Sequence, residues 1–207
     1  MKQFILFFII FSSIELFARQ IEETTFSYWK KPDSKIYYST PDSIDTNTKI
    51  IFIMHGASRT AKKYLNDWLP LVKSRNVVLI APEFSKESYP EYVYLMMGTE
   101  KGKLLKDQSL FLTDSLGLLF DYFKAKFKIS TTTFRLYGHS GGSQFVHRYL
   151  LLSNETRIEK AAMAKWWLTE LELKIVDQCL QLQSAYWQIL RSVFSHVGCF
   201  PANKLHN

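Results

Sequence analysis

The chain is short of cysteine. Only two occur, Cys179 and Cys199, so no disulfide framework staples the fold and no Cys pair has zinc-ligand spacing. One bridge between them is permissible if the chain is exported, but sequence does not supply the geometry. The five histidines are dispersed. No metal site is expected, and no cofactor. Long hydrophobic runs are also scarce. The longest apolar run lies at the N-terminus, over residues 4–11, and is too short to span a bilayer comfortably, with Glu15 close behind it. Clustered basic residues are missing too. Net charge is +7 with a pI near 9.3, yet no run of five or more Lys or Arg appears. Without a recognition motif, that excess reads as solvated surface charge, and nucleic acid is not an expected partner.

What is present is a globular composition, 47% hydrophobic and 22% charged, in a chain long enough for one domain with a real core. Lys2 followed by the apolar run and then by Ala18 has the form of a secretory signal cleaved near residue 18. A secreted or periplasmic location is expected, with no stable membrane span after cleavage. Residues 24–30 and 35–39 are β-prone, and Lys31-Pro32-Asp33-Ser34 between them is a turn by composition, which predicts a hairpin. Residues 49–54 form an unbroken apolar run, as in a strand buried on both faces. Tyr64, Trp68 and Leu71 fall at helical spacing within residues 60–74. A second buried strand covers 77–80 and is expected to stop at Pro82. A loop follows to residue 94, then a surface excursion over 96–108. A helix pattern covers 109–127, with Asp114 and Asp121 on its polar side. Asn154-Glu155-Thr156 is a break and a sequon. A last short strand is expected over 157–163. Strand and helix alternate after the hairpin, which predicts a parallel sheet covered by helices on both faces.

The chemistry is concentrated in Phe134-Arg135-Leu136-Tyr137-Gly138-His139-Ser140-Gly141-Gly142-Ser143-Gln144-Phe145. Gly138 to Gly142 matches G-x-S-x-G, a sharp strand-to-helix turn that exposes a serine hydroxyl. Such a bend strains the serine backbone and crowds its neighbours, so residues lacking a Cβ are needed two positions away on either side. Gly138 and Gly142 supply them, and Gly141 adds slack. The β-branched and aromatic residues before the turn, and the Gly- and Pro-free apolar stretch after it, are the context the motif requires.

Residues from about 49 to 163 resemble the α/β-hydrolase family, and are similar to small secreted esterases of the polyhydroxybutyrate-depolymerase and feruloyl-esterase kind. Three stretches carry the resemblance: Ile53-Met54-His55-Gly56-Ala57-Ser58, Val78-Leu79-Ile80-Ala81-Pro82-Glu83-Phe84, and the turn at Ser140. It implies a serine hydrolase of carboxylic esters, small or polymeric, acting through an acyl-Ser140 intermediate. The backbone N–H groups of Gly141 and Ala57 would form the oxyanion hole. His55 is expected to shape its loop, because the base follows the serine in chain order. His139 is expected to pack inside the turn, and His147 to point away from substrate.

The C-terminal part departs from that pattern. Residues 143–197 contain no Gly and no Pro, and 165–197 read as one or two long helices. The strands and loops that bear the acid and base in this family are not evident. By elimination His196 is the candidate base, with Asp177 or Glu172 as a possible acid, each also readable as a polar-face helix residue. Two explanations stand: a compact variant with a substitute base, or a C-terminus altered by truncation or frame shift after about Met163. The second favours an impaired or non-catalytic binding module. The expected organisation is a signal over 1–18, an α/β-hydrolase core over 19–163 with a mostly parallel sheet incomplete at its C-terminal edge, and a helical tail over 164–207. The oligomeric state is not readable.

Overall fold

The computed structural model describes residues 19–164. The expected signal and, from residue 165 on, the tail expected to be helical, with His196, Asp177, Glu172 and both cysteines, lie outside the described residues; Ala164, expected to open that tail, instead ends a strand. Six strands form one sheet: β1 (Glu22–Phe26), β2 (Ser34–Ser39), β3 (Lys49–Met54), β4 (Val77–Glu83), β5 (Phe134–His139) and β6 (Ile158–Ala164), in the order β1-β2-β4-β3-β5-β6. The β1–β2 and β2–β4 pairs are antiparallel, and the β4–β3, β3–β5 and β5–β6 pairs are parallel. The hairpin and mostly parallel sheet follow the pattern expected from the sequence. Pro82 does not end β4. Pairing with β3 stops at Ile80, so at Pro82 the strand keeps β2 alone as a neighbour. A missing N–H is tolerated where one side of a strand is open.

The unbroken apolar runs are explained by two cores. Ile50, Phe52 and Met54 of β3 and Val78 and Ile80 of β4 join one cluster with Leu116, Phe120, Phe123, Phe145 and Tyr149. Their neighbours Ile53, Val77, Leu79 and Ala81 join the opposite cluster with Ala61, Leu65 and Val72. Strand periodicity of two sends alternate side chains to opposite faces, so both must be apolar. Each fully buried Leu, Ile or Phe contributes about 1.5–3 kcal/mol.

Among the described residues three α-helices cover the sheet: α1 (Ala61–Trp68), α2 (Ser115–Phe127) and α3 (Gly141–Leu152). Of the expected α1 stripe, Tyr64 and Trp68 pack half-buried against the second cluster, and Leu71 does not. Ala61 and Leu65 are fully buried and Leu71 is 68% exposed, because the α-helix ends at Trp68 and a 3-10 turn, Leu69–Val72 with Pro70 near its start, rotates the phase. The segment between β4 and α2 also differs from a plain surface loop. Tyr92, Leu95 and Met96 are buried, and the Phe84, Tyr92, Phe145 and Tyr149 rings pack in series, Tyr92 lying 4.9 Å from Phe145 and Phe145 5.7 Å from Tyr149. No helix among the described residues is long and apolar enough to cross a membrane.

Candidate active site

Parallel pairing in register brings Met54, the last residue of β3, beside Gly138 of β5. The loops leaving both strands therefore start at one point on the sheet's C-terminal edge, where open α/β sheets bind ligands. His55, Gly56 and Ala57 leave β3 there. His139, Ser140 and Gly141 leave β5 beside them.

Ser140 stands at φ 57° and ψ −121° immediately before α3, a conformation that costs a non-glycine residue roughly 1–3 kcal/mol. The residue is exposed. Its backbone is held by its surroundings: its N–H donates to the Ala164 carbonyl of β6 (3.0 Å), and its own carbonyl accepts from Ser143 N–H (2.9 Å). The Ser143 hydroxyl is buried. It lies 2.7 Å from the Gly138 carbonyl and 2.6 Å from the Ala164 carbonyl, and accepts from Ala164 N–H at 3.0 Å. The glycines meet the crowding expected of them. A Cβ on Gly138 would overlap the Gly142 carbonyl, and one on Gly142 would overlap the Met54 carbonyl. Gly141 does more than add slack: a Cβ there would sit 3.0 Å from the Ala57 nitrogen and 3.2 Å from a Val93 methyl. A Cβ on Gly56 would lie 3.5 Å from that of Ser140. Ser140, Gly141 and Ala57 are thus brought together. As the first N–H of α3, that of Gly141 has no intrahelical acceptor, and it points with the positive end of the helix dipole.

His55 is fully buried, and both its ring nitrogens are engaged within its loop. Nε2 accepts from Phe84 N–H (3.1 Å), which leaves Nδ1–H to donate to the Gly56 carbonyl (3.0 Å). Burial pushes the imidazole down to about 4, so it is neutral at pH 7. It shapes the loop, as the sequence suggested. His139 Nδ1 meets the Tyr64 hydroxyl at 3.1 Å, and His147 is buried on α3. The candidate base His196 lies outside the described residues. Among the described residues no group of three or more His, Cys, Asp or Glu side chains could hold a metal ion.

Two contributors escaped the sequence. The Tyr92 hydroxyl donates to the His55 carbonyl (3.0 Å), with its ring 4.5 Å from the imidazole. Arg59 reaches across the same loop to the segment after β4. Their partners lie 25 or more positions away in the chain, and no local pattern announces them.

No protein-family model and no curated protein matches the sequence. Solved structures do. Poly(aspartic acid) hydrolase-1 from Sphingomonas sp. KT-1 matches with a TM-score of 0.63 and 29% identity, over 68% of this chain and 54% of that one. The poly(3-hydroxybutyrate) depolymerase LpqC from Bordetella parapertussis matches at TM-score 0.58 and 19% identity, over 69% and 51% of the two chains. An acetyl xylan esterase from Aspergillus awamori matches at 0.53 and 13%, over 69% and 50%. The chain spans about half the length of these structures. With its hairpin-led parallel sheet and the strained serine between β5 and α3, this chain has the α/β-hydrolase fold.

Proposed function

We propose that the protein is an exported serine hydrolase that cleaves carboxylic esters, small or polymeric. One observation carries the reading: an exposed serine in a strained backbone at the sheet's C-terminal edge, beside the Ala57 and Gly141 amides. Ser140 Oγ attacks the acyl carbon while its proton passes to a base, for which His196 is the candidate. The carbonyl oxygen takes the electron pair and is held by the Ala57 and Gly141 N–H groups. Collapse of that intermediate breaks the C–O bond, the alcohol leaves with the proton, and water releases the acid from acyl-Ser140. Each oxyanion donor contributes about two to three powers of ten in rate.

The test is labelling of the purified full chain with a fluorophosphonate, together with turnover of p-nitrophenyl butyrate. Labelling that disappears in Ser140→Ala supports the reading, and an unlabelled wild-type protein rejects it. A second reading, a non-catalytic binding module of the same fold, draws support from the histidines of the described part: both nitrogens of His55 and Nδ1 of His139 have partners other than Ser140. It predicts no labelling and no ester turnover.

A further inference from the structure

We propose that Arg59 is a positioning residue of the oxyanion pocket, clamping the loop that presents the Ala57 N–H to the segment that carries Val93. The inference rests on the serine-hydrolase reading above. Arg59 N–H donates to the Gly56 carbonyl (3.1 Å), closing a tight turn with Ala57 inside it. The Arg59 backbone sits at φ 61°, where a side chain with a Cβ is disfavoured. That conformation is held from the far end of the side chain. Nη1 donates to the carbonyls of Phe84 (2.6 Å) and Tyr89 (3.1 Å), Nη2 donates to that of Pro90 (3.1 Å), and the guanidinium lies 4.6 Å from the Tyr92 ring centroid.

The far side of the clamp returns to the site. Val93 follows Tyr92 directly, and its methyl sits against Gly141. Tyr92 closes the circuit through its hydrogen bond to the His55 carbonyl. One planar fork therefore ties the Ala57 turn to the wall beside the Gly141 amide. Arg59 Nε is buried without a hydrogen-bond partner among the described residues, so the side chain is aimed at the three carbonyls at the expense of one donor. Burial pulls its pKa down. No carboxylate comes within ion-pair distance of it among the described residues; Glu87 and Glu91 act on it from farther off, and at close range its charge is met by carbonyl dipoles and an aromatic face. Three carbonyls and a ring demand a flat, multi-donor group. A lysine supplies charge but not that geometry.

The experiment compares Arg59→Lys and Arg59→Gln with wild type in the full chain, reading fluorophosphonate labelling rate and kcat and KM for p-nitrophenyl butyrate. Displacing an oxyanion donor without deleting it is expected to slow labelling and lower kcat by about 10- to 100-fold. KM is expected to change less than about threefold, because the clamp acts on the transition state. Lysine is expected to fail as badly as glutamine. Should an Arg59 variant not fold, as read by far-UV circular dichroism, Tyr92→Phe tests the same circuit and is expected to slow labelling at least about fivefold. A folded Arg59→Lys with wild-type kcat overturns the proposal, as does a rise in KM alone, or wild-type labelling in Tyr92→Phe when the arginine variants do not fold. An unlabelled wild type overturns the hydrolase reading and this inference together. Slow variants beside a labelled wild type support both.

Discussion

Acidification from pH 7 toward 4 places a proton on His55 in the unfolded chain long before it does so in the folded one. The imidazole has no exposed surface, and burial pushes it from the usual 6.5 to about 4. Protonation in place would also set a second N–H against Phe84 N–H, which now donates to Nε2. The sign follows from proton counts. Between the two pKa values the unfolded state binds more protons, so stability rises with pH in that window. The contribution is complete above about 6.5 and is lost progressively as pH falls toward 4. A separation of about 2.5 between the folded and unfolded values, at 1.36 kcal/mol each, makes the loss about 3 kcal/mol. The glutamates held low by arginines, Glu155 and Glu159, act below about 4.5 and so in a lower window.

The assay is urea unfolding at half-unit steps from pH 7.5 to 4, for wild type and His55→Asn. Asparagine keeps a donor near the Nδ1 position and strands Phe84 N–H, a cost of about 1–3 kcal/mol at pH 7. It carries no titrating group, so its stability is expected to fall less steeply between pH 6.5 and 4.5. The two curves should converge as the pH drops. Parallel curves across that window refute the argument, since the slope would then belong to other groups.

Three further outcomes follow from close approaches and buried hydroxyls. Gly142→Ala drives a Cβ into the Met54 carbonyl, a backbone atom that cannot yield, and is expected to cost about 3 kcal/mol or more, read as a fall in the urea midpoint or as insoluble protein. Gly117→Ala within α2 gains about 1 kcal/mol of helix propensity, but its Cβ would meet the Glu155 carboxylate and lie 2.9 Å from Arg157 Nη2. The net effect is expected to be destabilising by about 1 kcal/mol and to shrink in a Glu155→Ala background, where the nearer clash is gone and Arg157 loses the carboxylate that holds it there; a double-mutant cycle reads that coupling. Ser143→Ala leaves Ala164 N–H without the hydroxyl it donates to and is expected to cost about 1–3 kcal/mol, while fluorophosphonate labelling of the folded variant persists, unlike that of Ser140→Ala.

Local patterns were legible in the sequence where one element sees only its own residues and a uniform environment. Residues 49–54 announced a strand buried on both faces because two cores flank β3. Gly138 announced the bend because the atoms that crowd it belong to Gly142 and Ser143, within five positions, whereas Gly142 is crowded by the distant Met54 carbonyl of β3. The α1 stripe was misread at Leu71 because Pro70 falls where the helix tightens to a 3-10 turn, and a fixed 3.6-residue period cannot report that change. Tyr92 and Arg59 were invisible for another reason. Each sits in an irregular loop and acts on residues 25 or more positions distant. The base is a different case, since His196 lies outside the described residues.

The exposure of Ser140 is a property of the sheet more than of the five-residue motif. Left to itself, a serine at φ 57° relaxes, because the strain of roughly 1–3 kcal/mol equals or exceeds what a typical single hydrogen bond returns, about 1 kcal/mol. Several bonds together hold it, and those to the carbonyl and N–H of Ala164 come from β6. Pairing of β6 with β5 in register, His139 opposite Ala164, is therefore what keeps the hydroxyl at the rim. Shortening the chain before Ala164 removes the acceptor of Ser140 N–H and the partner of the Ser143 hydroxyl at once. The bend then loses its support even though every residue of the motif is still present.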